Sequence, residues 1–171
     1  MIIIGDIGNT DTKICIVSSN YKILKKLTVP TKNINNKFLK EKLYSFFKKK
    51  YNIKKSLFSS VVPDKFKIIK FFIFKKYKSN CYELKDLKLN KIIRIKVNRK
   101  QIGSDRLANS IAVKSNKNYI ILDFGTATTF DVVIGNIYNG GVIAPGLHIS
   151  LNNLINNAKL IPSVNLKKMK K

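Results

Sequence analysis

The sequence predicts an α/β protein built from two related units, the first complete and the second only begun. Three observations carry this. Short apolar runs alternate with stretches of helical periodicity along 171 residues, with 44% hydrophobic content, as in a globular chain with one good core or two small ones. Two of the runs end in an acidic-glycine turn. Ile2-Ile3-Ile4-Gly5 leads into Asp6-Ile7-Gly8-Asn9-Thr10, and Tyr119-Ile120-Ile121-Leu122 leads into Asp123-Phe124-Gly125-Thr126-Ala127-Thr128. Each turn is then followed by a second strand pattern, so the same opening occurs twice.

Taken in order, the first apolar run, Lys13 to Val17 and Tyr21 to Val29 read as a three-stranded meander. Phe38, Leu39, Leu43, Phe46 and Phe47 recur at helical spacing and predict a helix over Asn36 to Lys50. Leu57 to Val62 is a short buried strand stopped by Pro63. That proline suits the first position of a helix reaching Tyr77, with Phe66, Ile69, Ile73 and Phe74 as its core face. Strands follow at Asn80 to Leu84 and Ile92 to Val97, and Gly103-Ser104 opens a helix through Val113. The order β-β-β-α-β-α-β-α is that of a ribonuclease-H-like domain, placed at residues 1–117. Residues 118–171 repeat its start: a strand, the acidic turn, Phe130 to Ile134, a tight turn at Gly135-Asn136, Ile137 to Ile143, and a helix from His148 to Asn157. Three strands and one helix leave a sheet edge and a helix face uncovered, so the expectation is the front two thirds of a longer enzyme. A compact variant, or a basic tail that frays, is the competing reading.

A formal net charge of +25 invites a nucleic-acid reading, because basic surfaces bind phosphate backbones by releasing counterions. Yet the arginines are only Arg94, Arg99 and Arg106. The lysines come with many asparagines, isoleucines, phenylalanines and tyrosines, all with A/T-rich codons, so genome bias accounts for them. There is no R-G-G segment, zinc-finger spacing or helix-turn-helix pattern, and no specific nucleic-acid partner is expected. Cys15 and Cys81 are far apart in apolar settings and suit a reducing cytoplasm. His148 is the only histidine, which leaves little for a histidine triad or zinc centre. The first residues lack the charged and long apolar regions of a signal peptide, and Ile68 to Phe74 is too short to span a bilayer. No membrane partner is expected.

The chemistry rests first on Asp6 and Asp123. A carboxylate at an apolar strand end must be solvated, paired or bound to a cation. Two such turns facing each other would hold a triphosphate and its metal, with magnesium or a monovalent ion relieving the repulsion. Either turn alone would equally be an aspartate bonding its own backbone. Thr10, Thr126, Thr128 and Thr129 are candidate hydroxyl donors, although threonine also simply favours strands. No Walker loop occurs, and Asp123-Phe124-Gly125 lacks the other marks of a protein kinase. Gly103-Ser104-Asp105-Arg106 admits two readings. One is ordinary capping, with Ser104 as N-cap and Asp105 answering the helix dipole; the other is a general base beside an anion anchor, since Arg106 can fork onto a carboxylate. Gly140-Gly141-Val142-Ile143-Ala144-Pro145-Gly146-Leu147 reads as a strand between turns, with glycines that permit close approach to a ligand or simply form a hairpin.

In order and spacing, D-I-G-N-T, G-S-D-R, D-F-G-T-A-T-T-F-D and G-G-V-I-A-P-G-L resemble the type III pantothenate kinases, of the superfamily of acetate and sugar kinases, heat-shock ATPases and actin. Leu160-Ile161-Pro162-Ser163-Val164 is similar to that family's stretch after its P-G motif. The resemblance implies an actin-like ATPase fold and transfer of the ATP γ-phosphoryl group to the primary hydroxyl of pantothenate. It also implies a cytoplasmic homodimer using magnesium and a monovalent cation, potassium or ammonium. On this chain, Asp6, Ile7, Gly8, Asn9, Thr10, Asp11, Thr12 and Lys13 would form the first phosphate turn, with Asp6 near the magnesium carried by ATP. Gly103, Ser104, Asp105 and Arg106 would bind pantothenate, Asp105 as proton acceptor and Arg106 near the substrate carboxylate. Asp123 would hold the monovalent cation and Thr126 would contact ATP. Three positions depart from the family: Ser104 replaces an alanine, Lys96 stands where a substrate tyrosine is common, and Asn98-Arg99 replaces asparagine-proline. A catalytically silent relative acting as an accessory regulator is the alternative, and retention of Asp6, Asp105 and Asp123 argues against it.

Overall fold

The computed structural model describes residues 1–43, 46, 51–113 and 116–158. Strands β1 (Ile2–Ile7), β2 (Asp11–Val17) and β3 (Ile23–Pro30) form the expected antiparallel meander. Strands β4 (Lys55–Ser60) and β5 (Cys81–Glu83) add to it in parallel, giving the order β3-β2-β1-β4-β5. The second sheet has the order β6-β9-β8-β7, from β6 (Arg94–Ile95), β7 (Lys117–Phe124), β8 (Ala127–Gly135) and β9 (Ile137–Pro145). The last three strands are an antiparallel meander like β1 to β3, and β6 joins β9 in parallel. Two sheets opened by the same meander, with helices between, are the ribonuclease-H-like architecture the chain order predicts.

The predicted helix after β3 starts where Asn35 caps α1 (Asn36–Phe38), its side chain accepting the Phe38 N–H at 2.9 Å. The chain then widens into a π-helical turn at Leu39–Leu43, which still buries Leu39 and Leu43. The end of that expected helix and the Leu160 to Val164 segment lie outside the described residues. Helix α2 (Pro63–Tyr77) has proline in its first turn and ends at Lys78, whose left-handed backbone sends its N–H to the Phe74 carbonyl. Phe66, Ile69 and Ile73 face the core as predicted, but Phe74 is half exposed. One residue beyond Ile73 is a 100° turn round the helix, enough to leave the apolar stripe.

The first core lies between sheet one and α2, built from Ile3, Ile7, Ile14, Phe58, Ile69 and their neighbours. Cys81 sits in it, and burial pushes its thiol up to about 12, the state of an unreactive thiol. A second core joins Leu84, Ile93 and Ile102 to Leu107 of α3 (Ser104–Ala112) and to Val133 and Tyr138 of sheet two. Helix α3 is thus held against both sheets. Helix α4 (Leu147–Asn157) follows β9 directly. Among the described residues, no helix is long and apolar enough to cross a membrane.

Candidate active site

The two acidic turns meet. Strand β1 ends because Gly8 turns the chain back, its N–H bonding the Asp11 carbonyl at 3.0 Å. Buried Thr31 braces this turn from beneath: its hydroxyl bonds the Gly8 carbonyl at 2.7 Å and pairs with the Thr12 hydroxyl at 2.9 Å. The turn after β7 is braced differently. Gly125 N–H bonds the Ala127 carbonyl, and Gly146, just before α4, donates to the Thr126 carbonyl at 3.1 Å. A Cβ at Gly146 would lie 2.4 Å from the Gly125 and Thr126 carbonyl oxygens, so only glycine lets α4 start there. Across the gap, the Thr10 and Thr126 hydroxyls lie 2.9 Å apart.

Residues of both acidic turns also line a cleft of about 330 Å³. Asp6 and Lys13 enter it from β1 and β2, Ser59 from the end of β4, Asp105 and Asn109 from α3, and Asp123 from β7. Helical spacing explains the α3 pair: Asp105 and Asn109 are one turn apart on one face, while Arg106, Leu107 and Ser110 are buried on the other. Asn109 donates to Asp123 at 2.8 Å, tying the helix to the second turn. Burial raises the Asp6 pKa most, helped by the charges of Asp105 and Asp123. The nearby Ser59 hydroxyl, which stands close without a well-aligned bond, and Lys13 pull it the other way.

Of the other expected site residues, Gly8, Asn9, Thr10, Asp11 and Thr126 sit on the exposed or half-exposed turns. The Ile7 and Thr12 side chains are fully buried, so only their backbones can serve a ligand. Gly103 and Ser104 line a neighbouring cavity of about 450 Å³ with Glu83, Phe66 and Gln101. Ser104 is not the cap. Gly103 takes that place, and the Ser104 hydroxyl instead donates to Glu83, whose other oxygen accepts the Lys85 N–H. Asp105 Oδ1 accepts the Arg106 N–H at 2.8 Å, and a Cβ at Gly103 would lie 2.3 Å from that oxygen. Arg106 turns away into the second core, where its Nε donates to Asp131 at 2.8 Å. Burial opposes its charge, but Asp131 outweighs that and raises its pKa.

The sequence reading missed Ser59, Asn109, Asp131 and Tyr138. Asn109 had a legible signal in its spacing from Asp105, and Asp131 had the one that marked Asp6, an acid in an apolar strand. Ser59 and Tyr138 had none.

A family model for the type III pantothenate kinases matches residues 2–171. The chain belongs to the type III pantothenate kinase family. The family member of Pelagibacter ubique is 59% identical over 169 residues, covering 98% of this chain and 68% of that protein. Those of Fervidobacterium nodosum and of a Sulfurihydrogenibium species are 32% and 37% identical, each over 98% of this chain and 68% and 69% of theirs. Among solved structures, a conserved Campylobacter jejuni protein assigned to the Baf family of transcriptional activators matches with a TM-score of 0.54 at 18% identity, over 99% of this chain and 68% of its own. A Sinorhizobium meliloti protein titled as a 2-dehydro-3-deoxygalactonokinase matches at 0.55 and 9% identity, over 84% of this chain and 53% of its own. At those identities they support the fold alone.

Proposed function

We propose that this chain is a pantothenate kinase, transferring the γ-phosphoryl group of ATP to the primary hydroxyl of pantothenate, the first step of coenzyme A synthesis. Family membership supports the reaction. The observation that supports its location is one cleft lined by Asp6, Asp105 and Asp123 together.

In this reading the turns Asp6 to Lys13 and Gly125 to Thr126 receive the phosphates. Asp105 accepts the hydroxyl proton as the substrate oxygen bonds to phosphorus and the bond to the ADP oxygen breaks. The Arg106 N–H on Oδ1 fixes the carboxylate beforehand. A loose phosphoryl-transfer transition state asks mainly for such positioning. Oxygen donors suit a hard cation, and a cation here would relieve Asp6, whose pKa is raised first by burial and then by the charges of Asp105 and Asp123. Asp6 would face magnesium and Asp123 a potassium or ammonium ion, and these ions would neutralise charge on the phosphates. A cytoplasmic homodimer and division at 117/118 complete the proposal.

Asp105→Asn tests it. ADP release should require pantothenate and a monovalent cation, and the variant should lose about 10²- to 10⁴-fold in rate with an unchanged melting temperature. Normal turnover in Asp105→Asn would remove the proposed base.

A further inference from the structure

We propose that Glu83 and Arg99 are positioning residues for phosphoryl transfer, clasping the start of α3 so that Asp105 meets the substrate hydroxyl in one fixed pose. The inference rests on the kinase reading and adds to it two residues that do not line the cleft of Asp105. The first turn of α3 stands between two hollows. Gly103 and Ser104 line the cavity of about 450 Å³, while Asp105 lines the cleft of about 330 Å³. Flanked by open space, that turn has less packing to fix it than a core helix has. Its cap, Gly103, brings no side chain to hold it either.

Two short stretches supply the restraint, residues 83–87 at the end of β5 and residues 99–102 just before α3. Glu83 ties the first of them to the helix, accepting the Ser104 hydroxyl on Oε1 and the Lys85 N–H on Oε2 at 2.8 Å. Arg99 joins the two stretches to each other. Its Nη2 donates to the Lys85 carbonyl at 2.6 Å and also to the Leu87 carbonyl. Lys85 returns the bond, its Nζ donating to the Lys100 carbonyl at 2.9 Å. Leu84 and Ile102, one from each stretch, are buried together in the second core. The pose of Asp105 follows the backbone it grows from. Its Oδ1 accepts the Arg106 N–H at 2.8 Å and lies close over Gly103. The carboxylate is thus bonded to the segment that the clasp holds, and any shift of residues 103–105 carries the base with it. A misplacement of about 1 Å at a reacting group costs up to about 10²-fold in rate.

Glu83→Ala and Arg99→Ala each open one part of the clasp, and Arg99→Pro tests rescue by another means. Asn98 is already extended, as a residue before proline must be. Position 99 opens a 3₁₀ turn, where proline's fixed φ fits and its missing N–H removes no bond within the turn. Steady-state kinetics of ADP release are measured with melting curves and amide hydrogen exchange. Each alanine variant is expected to lower kcat about 3- to 30-fold and to leave KM for pantothenate within about 2-fold. Exchange of the Arg106 and Leu107 amides, bonded to Asp105 and Gly103, should quicken in both. Arg99→Pro should recover most of the Arg99→Ala loss, because a stiff turn restores the pose without the guanidinium. Alanine variants that melt lower yet keep wild-type kcat would overturn the positioning role. A raised KM with unchanged kcat, or an Arg99→Pro no better than Arg99→Ala, would overturn it too. Wild-type protein that releases no pantothenate-dependent ADP would instead bring down the functional reading, and this inference with it.

Discussion

Asp6 shows at the scale of one residue what burying an acid beside two others costs. Its carboxyl is raised above the ordinary 3.8 by burial, with Asp105 and Asp123 adding repulsion. The native state therefore holds the proton more tightly than the unfolded chain. That favourable contribution is complete below 3.8 and is lost as the pH rises through the raised value. Asp6→Asn should accordingly melt higher than wild type near about pH 7, with the gap closing in acid. Magnesium with ATP should raise the wild-type melting temperature more than that of the variant. Melting curves across pH, with and without the nucleotide, check both statements, and a variant less stable than wild type at neutral pH would contradict them. Asp6 was legible because an acid closing an apolar strand needs a reason. The role of Ser104 was not, since a serine beside a helix start bonds whichever group tertiary structure supplies. Here that group is Glu83, distant in sequence.

Among the elements, α3 and the two acidic turns were readable because local chemistry dictates them: a glycine to reverse the chain, an amphipathic spacing to place Asp105. The direction of Arg106 was hidden for the opposite reason. Its partner sits on β8, and a strand's inward face follows from register across the whole sheet. Phe74 likewise followed the helical period on paper but fell off the stripe in three dimensions. The turn at Gly125–Thr126 has a second support beyond its own residues, because Gly146 packs against its carbonyls and donates to Thr126. Gly146→Ala should thus cost stability, about 1–3 kcal/mol as for other overpacked sites, and should weaken ATP binding more than pantothenate binding. Denaturant unfolding and the two dissociation constants test this, and an unaffected nucleotide affinity would detach α4 from the phosphate turn.

On the molecular scale, the two-sheet architecture was legible from the repeated meander, whereas the uncovered side of the second sheet shows only in three dimensions. Ile120 and Leu122 of β7, Phe130 and Ile134 of β8 and Val142 of β9 are all exposed. Leu122 pairs with Phe130 and Phe130 with Val142, so these side chains make one continuous patch. Contiguous apolar surface of this kind marks an interface or an aggregation liability. The 171-residue chain should bind a hydrophobic dye in its native state, and Ile120→Lys with Val142→Lys should reduce the signal without lowering ATP affinity. A native protein that leaves the dye dark would show the patch to be covered.

The hydroxyls at 10 and 126 share one hydrogen bond between the two acidic turns. In the proposed reading, an arriving triphosphate would compete with that bond for both groups. Capture would then trade one weak bond for several charged ones. Valine at either position would remove that bond: nucleotide would enter faster and leave faster, and residence time, more than arrival rate, would record the loss.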